Sequence, residues 1–191
     1  MLRFPSLAAA SLAAFALACA GEPITGPIDS LPRPLTSAES HLVQSGNAFT
    51  LSLFRETLRR EDPADNVFVS PLSVSMAFGM VLNGVAGVTE SSMQTALDLN
   101  GMSRDEINAS CRGLIDLLRG LDPRVTFTIA NSIWYRESFA PPAAFREASR
   151  TYFDAEVRGL DFNSPAAAPT INSWVSSATA GYAMRSTPIE I

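Results

Sequence analysis

Apolar and polar positions along the chain predict helices interspersed with a few short strands. Apolar side chains recur every three to four positions between residues 41 and 58, which is helical spacing. Strict alternation or a short apolar run predicts the strands, at residues 67–69, 125–135 and 156–162. Helical patterns resume after Pro141-Pro142 and after Ser164-Pro165. The predicted order is helix, short strand, three helices, strand, helix, strand, helix, which is typical of an α+β fold.

Residues 71–83 contain no charged side chain and place apolar residues on every side of a predicted helix. Such a helix is buried on all sides or lies in a membrane, and this one is too short to span a bilayer. We therefore predict a central helix with packed layers on more than one side. Ser70 and Pro71 are typical of its start, because Ser caps free amide groups and Pro fits the first turn.

Two further helix starts are predicted after this central segment. Thr89 is expected to cap the first helix, with Met93, Ala96 and Leu97 facing inward. Ser103 and Glu106 form a capping box for the second. The second helix has one apolar stripe, made by Ile107, Cys111, Leu114 and Leu118.

The first residues are typical of an export signal. Arg3 precedes an uncharged run from Phe4 to Ala20 that is short for a bilayer span and is followed by small residues. The run ends in Ala-Leu-Ala-Cys19, which resembles a bacterial lipobox, whose Cys is acylated and becomes the mature N-terminus. The alternative is an ordinary signal peptide cut after a small residue.

These features predict three regions and a location. Residues 1–18 are a signal peptide, residues 19–40 hold the lipidated Cys19 and a Pro-rich linker, and residues 41–191 form the folded domain. We expect an exported protein, extracellular or in the cell envelope, attached to a membrane through the lipid on Cys19.

Composition narrows the functional classes. Apolar residues make up 47% and charged residues 17% of the 191 residues, which is enough for a buried core. The net charge is −5 and no run of Lys or Arg stands out, so we predict no nucleic-acid partner. The single histidine, His41, and the cysteines Cys19 and Cys111 form no pattern for a metal site, and no cofactor is expected. No hydrolase motif such as GxSxG or HExxH is present, and we predict that the protein is not an enzyme.

Four segments resemble signatures of the serpin family of serine protease inhibitors. They read NVFVSPLS at 66–73, NGVAGVT at 83–89, IANSIW at 129–134 and INSWVSSAT at 171–179. They occur in the family's order and cover most of residues 47–181.

The resemblance implies a suicide inhibitor of serine proteases. A protease cuts an exposed loop, and the cut loop inserts as a new strand into the large sheet. Ser70, Ser73 and Asn172 match the family's polar "shutter" beneath that sheet, and Asn131 matches a family-typical residue on the neighbouring strand. The alternative is structural: Ser70 is a helix cap, and Ser73 and Asn172 are hydrogen-bonded polar groups of the core.

The resemblance ends near Gly181, because residues 182–191 do not fit the family's continuation. The family's later strands and its reactive loop have no counterpart here. We therefore expect residues 41–191 to be a partial serpin domain, truncated, marginally stable and not inhibitory by itself. The alternative is a non-inhibitory surface lipoprotein or binding module that keeps part of the fold and uses an open sheet edge.

Overall fold

The computed structural model describes residues 28–62 and 64–181, and these contain six helices and two strands. The elements are α1 (Ser37–Leu58), α2 (Pro71–Leu82), α3 (Gly87–Ala96), α4 (Arg104–Arg119), β1 (Ser132–Arg136), α5 (Ala143–Phe153), β2 (Glu156–Leu160) and α6 (Ala167–Ala178). All of them lie in the compact unit that begins at Pro32. The predicted mixture of many helices with few strands is confirmed. The predicted signal peptide, Cys19 and residues 182–191 lie outside the described residues.

Capping boxes start α1 and α4. The Thr36 hydroxyl accepts a hydrogen bond from the Glu39 amide, and the Glu39 carboxylate accepts one from the Thr36 amide. Helix α1 therefore begins at Ser37, and the last four residues of the predicted linker are helical. The predicted box between Ser103 and Glu106 is confirmed at the start of α4.

Helix α2 is buried on one side only, which corrects the prediction of packing all round. Met76 is 2% exposed, whereas Phe78, two residues later, is 44% exposed. Pro71 occupies the first turn as predicted, and Ser70 stands at the cap position. The Ser70 hydroxyl makes no capping hydrogen bond, however, because it pairs with the Ser73 hydroxyl instead.

Three other predicted details are wrong. Residues 67–69 form no strand, and Phe68 is 95% exposed, because no described strand pairs with this segment. Thr89 lies inside α3 instead of capping it. The helix starts earlier because Gly87 takes a left-handed φ of 61°, which turns the chain sharply after α2. Ala96, predicted to face inward, is exposed.

The sheet of the described residues consists of β1 and β2, which run parallel, with Trp134 opposite Arg158. The predicted strand over 125–135 is shorter than expected, because its first half has no pairing partner in the described part of the chain. Helix α5 forms the crossover between the strands. It ends at Asp154, whose left-handed φ of 50° redirects the chain into β2.

The core lies among α2, α4, α5 and the strands. Phe153 and Ile115 are fully buried there, with Ile107 and Cys111 beside them. Ile107 and Cys111 confirm the start of the predicted α4 stripe, but Ile115 continues it in place of Leu114. Among residues 28–62 and 64–181, no helix is both long enough and apolar enough to cross a membrane.

Candidate functional site

The structure brings two of the four predicted shutter residues into direct contact. The hydroxyl oxygens of Ser70 and Ser73 lie 2.8 Å apart at the start of α2, and both residues are exposed. A hydroxyl pair at the surface retains access to further polar partners. The Ser70 hydroxyl thus contacts the first turn of α2 through the Ser73 hydroxyl. It does not cap the helix, which was the alternative role that the sequence allowed.

Asn131 has a different environment. It is 9% exposed, and its Nδ2 donates a 2.8 Å hydrogen bond to the carbonyl of Phe153, the last residue of α5. Its own carbonyl accepts a 2.9 Å hydrogen bond from the Glu156 amide. Asn131 therefore joins the chain just before β1 to the end of α5 and the start of β2. Asn172 is half-buried on α6, next to the buried Ile171.

A buried amide pair was not predicted. Asn83 donates to Oδ1 of Asn108 at 2.9 Å, and Asn108 donates to Oδ1 of Asn83 at 2.8 Å. Asn83 also donates to the Gly79 carbonyl, and Asn108 is almost fully buried. The pair fixes the end of α2 on the second turn of α4, and the amide of the buried Asn108 is paired with that of the partly buried Asn83.

An ion-pair cluster joins α4 to the end of α5. The carboxylate of Asp154 accepts hydrogen bonds from the guanidinium groups of Arg112 and Arg119. These bonds hold the pKa of Asp154 below its usual range, with Arg119 as the largest cause. Arg112 also pairs with Asp116 one turn later in α4. The groups neutralise one another, so the cluster stabilises the packing of the two helices.

A shallow depression with a volume of about 520 Å³ lies between the sheet and α6. Trp134 of β1 and Trp174 of α6 meet there edge to face, with ring centroids 6.1 Å apart. Arg158, Thr170 and Ser173 supply polar groups. Among the described residues that line it, the only charged group is the guanidinium of Arg158.

Cys111 and His41 lie in different environments. Cys111 is a buried free thiol, and burial raises its pKa to about 12, which keeps it protonated and unreactive. His41 is exposed on α1. Among residues 28–62 and 64–181, no three His, Cys, Asp or Glu side chains are grouped as metal ligands.

Large apolar side chains are exposed in several places. Phe68 precedes α2, and Leu72, Phe78 and Val81 lie along it. Others lie on α1 and in loops, namely Leu51, Phe54, Leu58, Val125 and Phe139. Phe78 and Val81 share one face of α2, whereas the others are spread over separate elements.

Comparison with known proteins gives one consistent family. A family model described as "Serpin (serine protease inhibitor)" matches residues 44–186. The chain is 32% identical over 142 residues to the leukocyte elastase inhibitor of Bos taurus. It is also 32% identical over 151 residues to the corticosteroid-binding globulin of Saimiri sciureus. These alignments cover 73% and 76% of this chain but 37% of each relative.

A solved structure, cleaved Serpin 42Da, has a similar fold. The TM-score is 0.66 at 21% sequence identity, over 76% of this chain and 38% of that one. The chain therefore spans a little over a third of the length of the relatives that it matches.

Proposed function

The chain belongs to the serpin family, and from this we propose that it supplies the N-terminal scaffold of a serpin-type inhibitor of serine proteases. The scaffold holds α2 and the first strands of the sheet, and it does not inhibit a protease by itself. It is not an enzyme. Inhibition by loop cleavage and strand insertion requires a reactive loop and further strands, which residues 28–181 do not include.

The one-sided burial of α2 carries this proposal. The helix has no charged residue, yet Phe78 and Val81 are exposed on the side away from the buried Met76 and Met80. A solvated surface helix carries polar residues on its outer face. An apolar outer face is therefore expected where further polypeptide of the family fold packs.

The four polar residues fit a shutter in this proposal. Ser70 and Ser73 already pair at the start of α2, and Asn131 fixes the entry to β1. With Asn172 of α6, they would control how easily the sheet opens beside α2. Their exposed hydroxyls are available to partners from the rest of the sheet.

We further propose that residues 1–18 direct export and that Cys19 carries a lipid that holds the domain at the cell envelope. Intact-mass analysis of the protein from a bacterial host tests this. The expected product begins at Cys19 with a diacylglyceryl mass, and Cys19→Ser should lose that mass. A product that begins elsewhere with no lipid would contradict the anchor and leave the inhibitor scaffold untouched.

Two experiments test the scaffold. Incubation of the full chain with elastase, trypsin and chymotrypsin, followed by denaturing electrophoresis, should give no covalent complex. The bovine leukocyte elastase inhibitor serves as the positive control. A band at the summed mass of this chain and a protease would contradict the assignment as a scaffold only.

The second experiment asks whether the outer face of α2 accepts the rest of the fold. The full chain is co-refolded with the part of the bovine relative that follows its matched segment. A heterodimer in size-exclusion chromatography is expected, and Phe78→Asp should abolish it. Arg60→Ala, at a well-exposed arginine of the turn after α1, is the matched control and should leave it intact. Equal behaviour of the two variants would count against the proposal.

A binding module is the second candidate, and the open outer edge of the β1–β2 pair favours it. An unpaired edge accepts an extended peptide as an added strand. A stable monomer with one cooperative unfolding transition would favour this module over an incomplete inhibitor. Aggregation or a gradual transition would favour the scaffold.

A further inference from the structure

The segment just before α1 makes specific contacts with a distant helix. Arg33 donates two parallel hydrogen bonds of 2.7 Å to the two carboxylate oxygens of Glu39. Its Nη2 also donates to the carbonyl of Gly113 in the middle of α4, at 3.1 Å, and its Nη1 donates to the Pro34 carbonyl. A forked pair of this kind gives both strength and fixed geometry.

The carboxylate of Glu39 is shared between this ion pair and the helix cap. Its Oε2 also accepts from the Thr36 amide at 2.8 Å. The Glu39 side chain is 6% exposed, while that of Arg33 is 42% exposed. The buried carboxylate therefore relies on Arg33 and Thr36 for the partners that water would otherwise supply.

Gly113 is needed for these contacts. A Cβ built at Gly113 would lie 2.1 Å from Oε1 of Glu39 and 3.2 Å from Nη2 of Arg33. Any side chain there would displace the carboxylate. Glycine inside a helix is unfavourable relative to alanine, so its presence within α4 fits a position where another group must approach the backbone closely.

The same part of α1 also packs on the core through the partly buried Ala38 and Leu42. The family match begins at residue 44, after the whole ion pair and cap. Further along α1, Ser45 is buried and donates to the Asp98 carbonyl at 2.6 Å. Beyond it, Leu51, Phe54 and Leu58 are exposed. The N-terminal half of α1 is thus the part that is fixed.

We propose that Arg33, Thr36, Glu39 and Gly113 form an N-terminal latch that holds the first turns of α1 against α4 and fixes where the folded unit begins. Arg33, Thr36 and Glu39 lie in front of the family-matching region, and Gly113 lies within it. The segment before α1 is rich in proline, and the latch attaches it to the folded unit at a defined point beside Gly113.

Hydrogen exchange of the full chain, followed by mass spectrometry, tests the latch locally. Arg33→Ala and Gly113→Ala should each raise exchange rates in residues 37–45 by about tenfold, because the first turns of α1 open more often. Rates in α5, which packs on α4 but takes no part in the hydrogen bonds of the latch, should stay unchanged.

Gly46→Ala is the matched control. Gly46 also lies inside a helix, but nothing lies within 4 Å of the position that its Cβ would take. Its replacement should leave exchange in residues 37–45 unchanged or slower. Exchange in residues 37–45 is therefore expected to rise in Gly113→Ala and not to rise in Gly46→Ala.

Unchanged exchange in Arg33→Ala, or fast exchange of residues 37–45 in the unaltered protein, would overturn the proposal. If Gly113→Ala prevents folding, Arg33→Ala decides the outcome, because the partly exposed arginine can be shortened without opening a core cavity. A uniform rise in exchange over all helices would also overturn it, since a local latch cannot produce that result.

Discussion

At the scale of single residues, Glu39 shows how a buried carboxylate makes stability depend on pH. The pKa of Glu39 is lowered from its ordinary value of 4.5 to about 2, and the main cause is the hydrogen bonding from Arg33. The unfolded chain binds this proton more readily, so the stabilisation is present above about pH 5 and is lost as the pH falls toward 2.

The corresponding variant is Glu39→Gln, which keeps a side chain of similar size and removes the charge. At pH 6, the variant should unfold about 5 °C below the unaltered protein in far-UV circular dichroism, given the usual sensitivity of a chain of this size. The difference should narrow as the pH is lowered from 5 to 2.5. A constant difference over that range would show that Glu39 does not titrate on unfolding in the way its ion pair requires.

At the scale of elements, α2 has two unlike sides within one uncharged helix. Met76→Ala should lower the free energy of unfolding by about 2–5 kcal/mol, because it opens a cavity in the core. Phe78→Ala should change it by less than about 0.5 kcal/mol, because that ring is half exposed. Urea unfolding measures both. Equal losses of unfolding free energy in the two variants would mean that the outer face of α2 is covered in solution.

Sequence patterns predicted the elements whose signals are local. The box of Ser103 and Glu106 needs only residues three apart, and α5 and β2 follow from their own periodicity. The prediction of a strand at 67–69 was wrong because a strand also needs a neighbouring strand to pair with. Helix α1 was predicted to begin too late, because Thr36 stands among prolines that are typical of a linker.

In the candidate site too, sequence patterns predict contacts between residues close in the chain and miss those between distant residues. The Ser70–Ser73 contact joins residues one helical turn apart, so their common environment follows from sequence spacing. The amide pair of Asn83 and Asn108 joins residues 25 positions apart on two helices. Its only local signal was a polar residue, Asn108, beside an apolar stripe, and that signal does not identify the partner.

At the scale of the whole molecule, exposed apolar side chains should govern behaviour in solution. Phe68, Phe78 and Phe139 are all at least 44% exposed. We expect the full chain to self-associate with rising concentration in analytical ultracentrifugation, because burying these rings removes apolar area from water. Phe68→Ser combined with Phe139→Ser should shift association to concentrations about tenfold higher. Leu31→Ser, at a single exposed leucine before the folded unit, is the control and should have little effect. A concentration-independent monomer would contradict the prediction.

The thiol of Cys111 gives access to the dynamics of the whole core. Its sulfur lies against α2 near Gly79, beside the ring of Phe153, and is shielded from solvent. The thiolate is the nucleophile that attacks an alkylating reagent, so this cysteine can be modified only while the surrounding helices are separated. The rate of labelling therefore measures how often α2, α4 and α5 separate. Mass spectrometry of individual peptides distinguishes Cys111 from Cys19. Cys111, whose role is packing, thus reports how often the scaffold opens transiently. The same labelling can be carried out in the cell and on the purified protein.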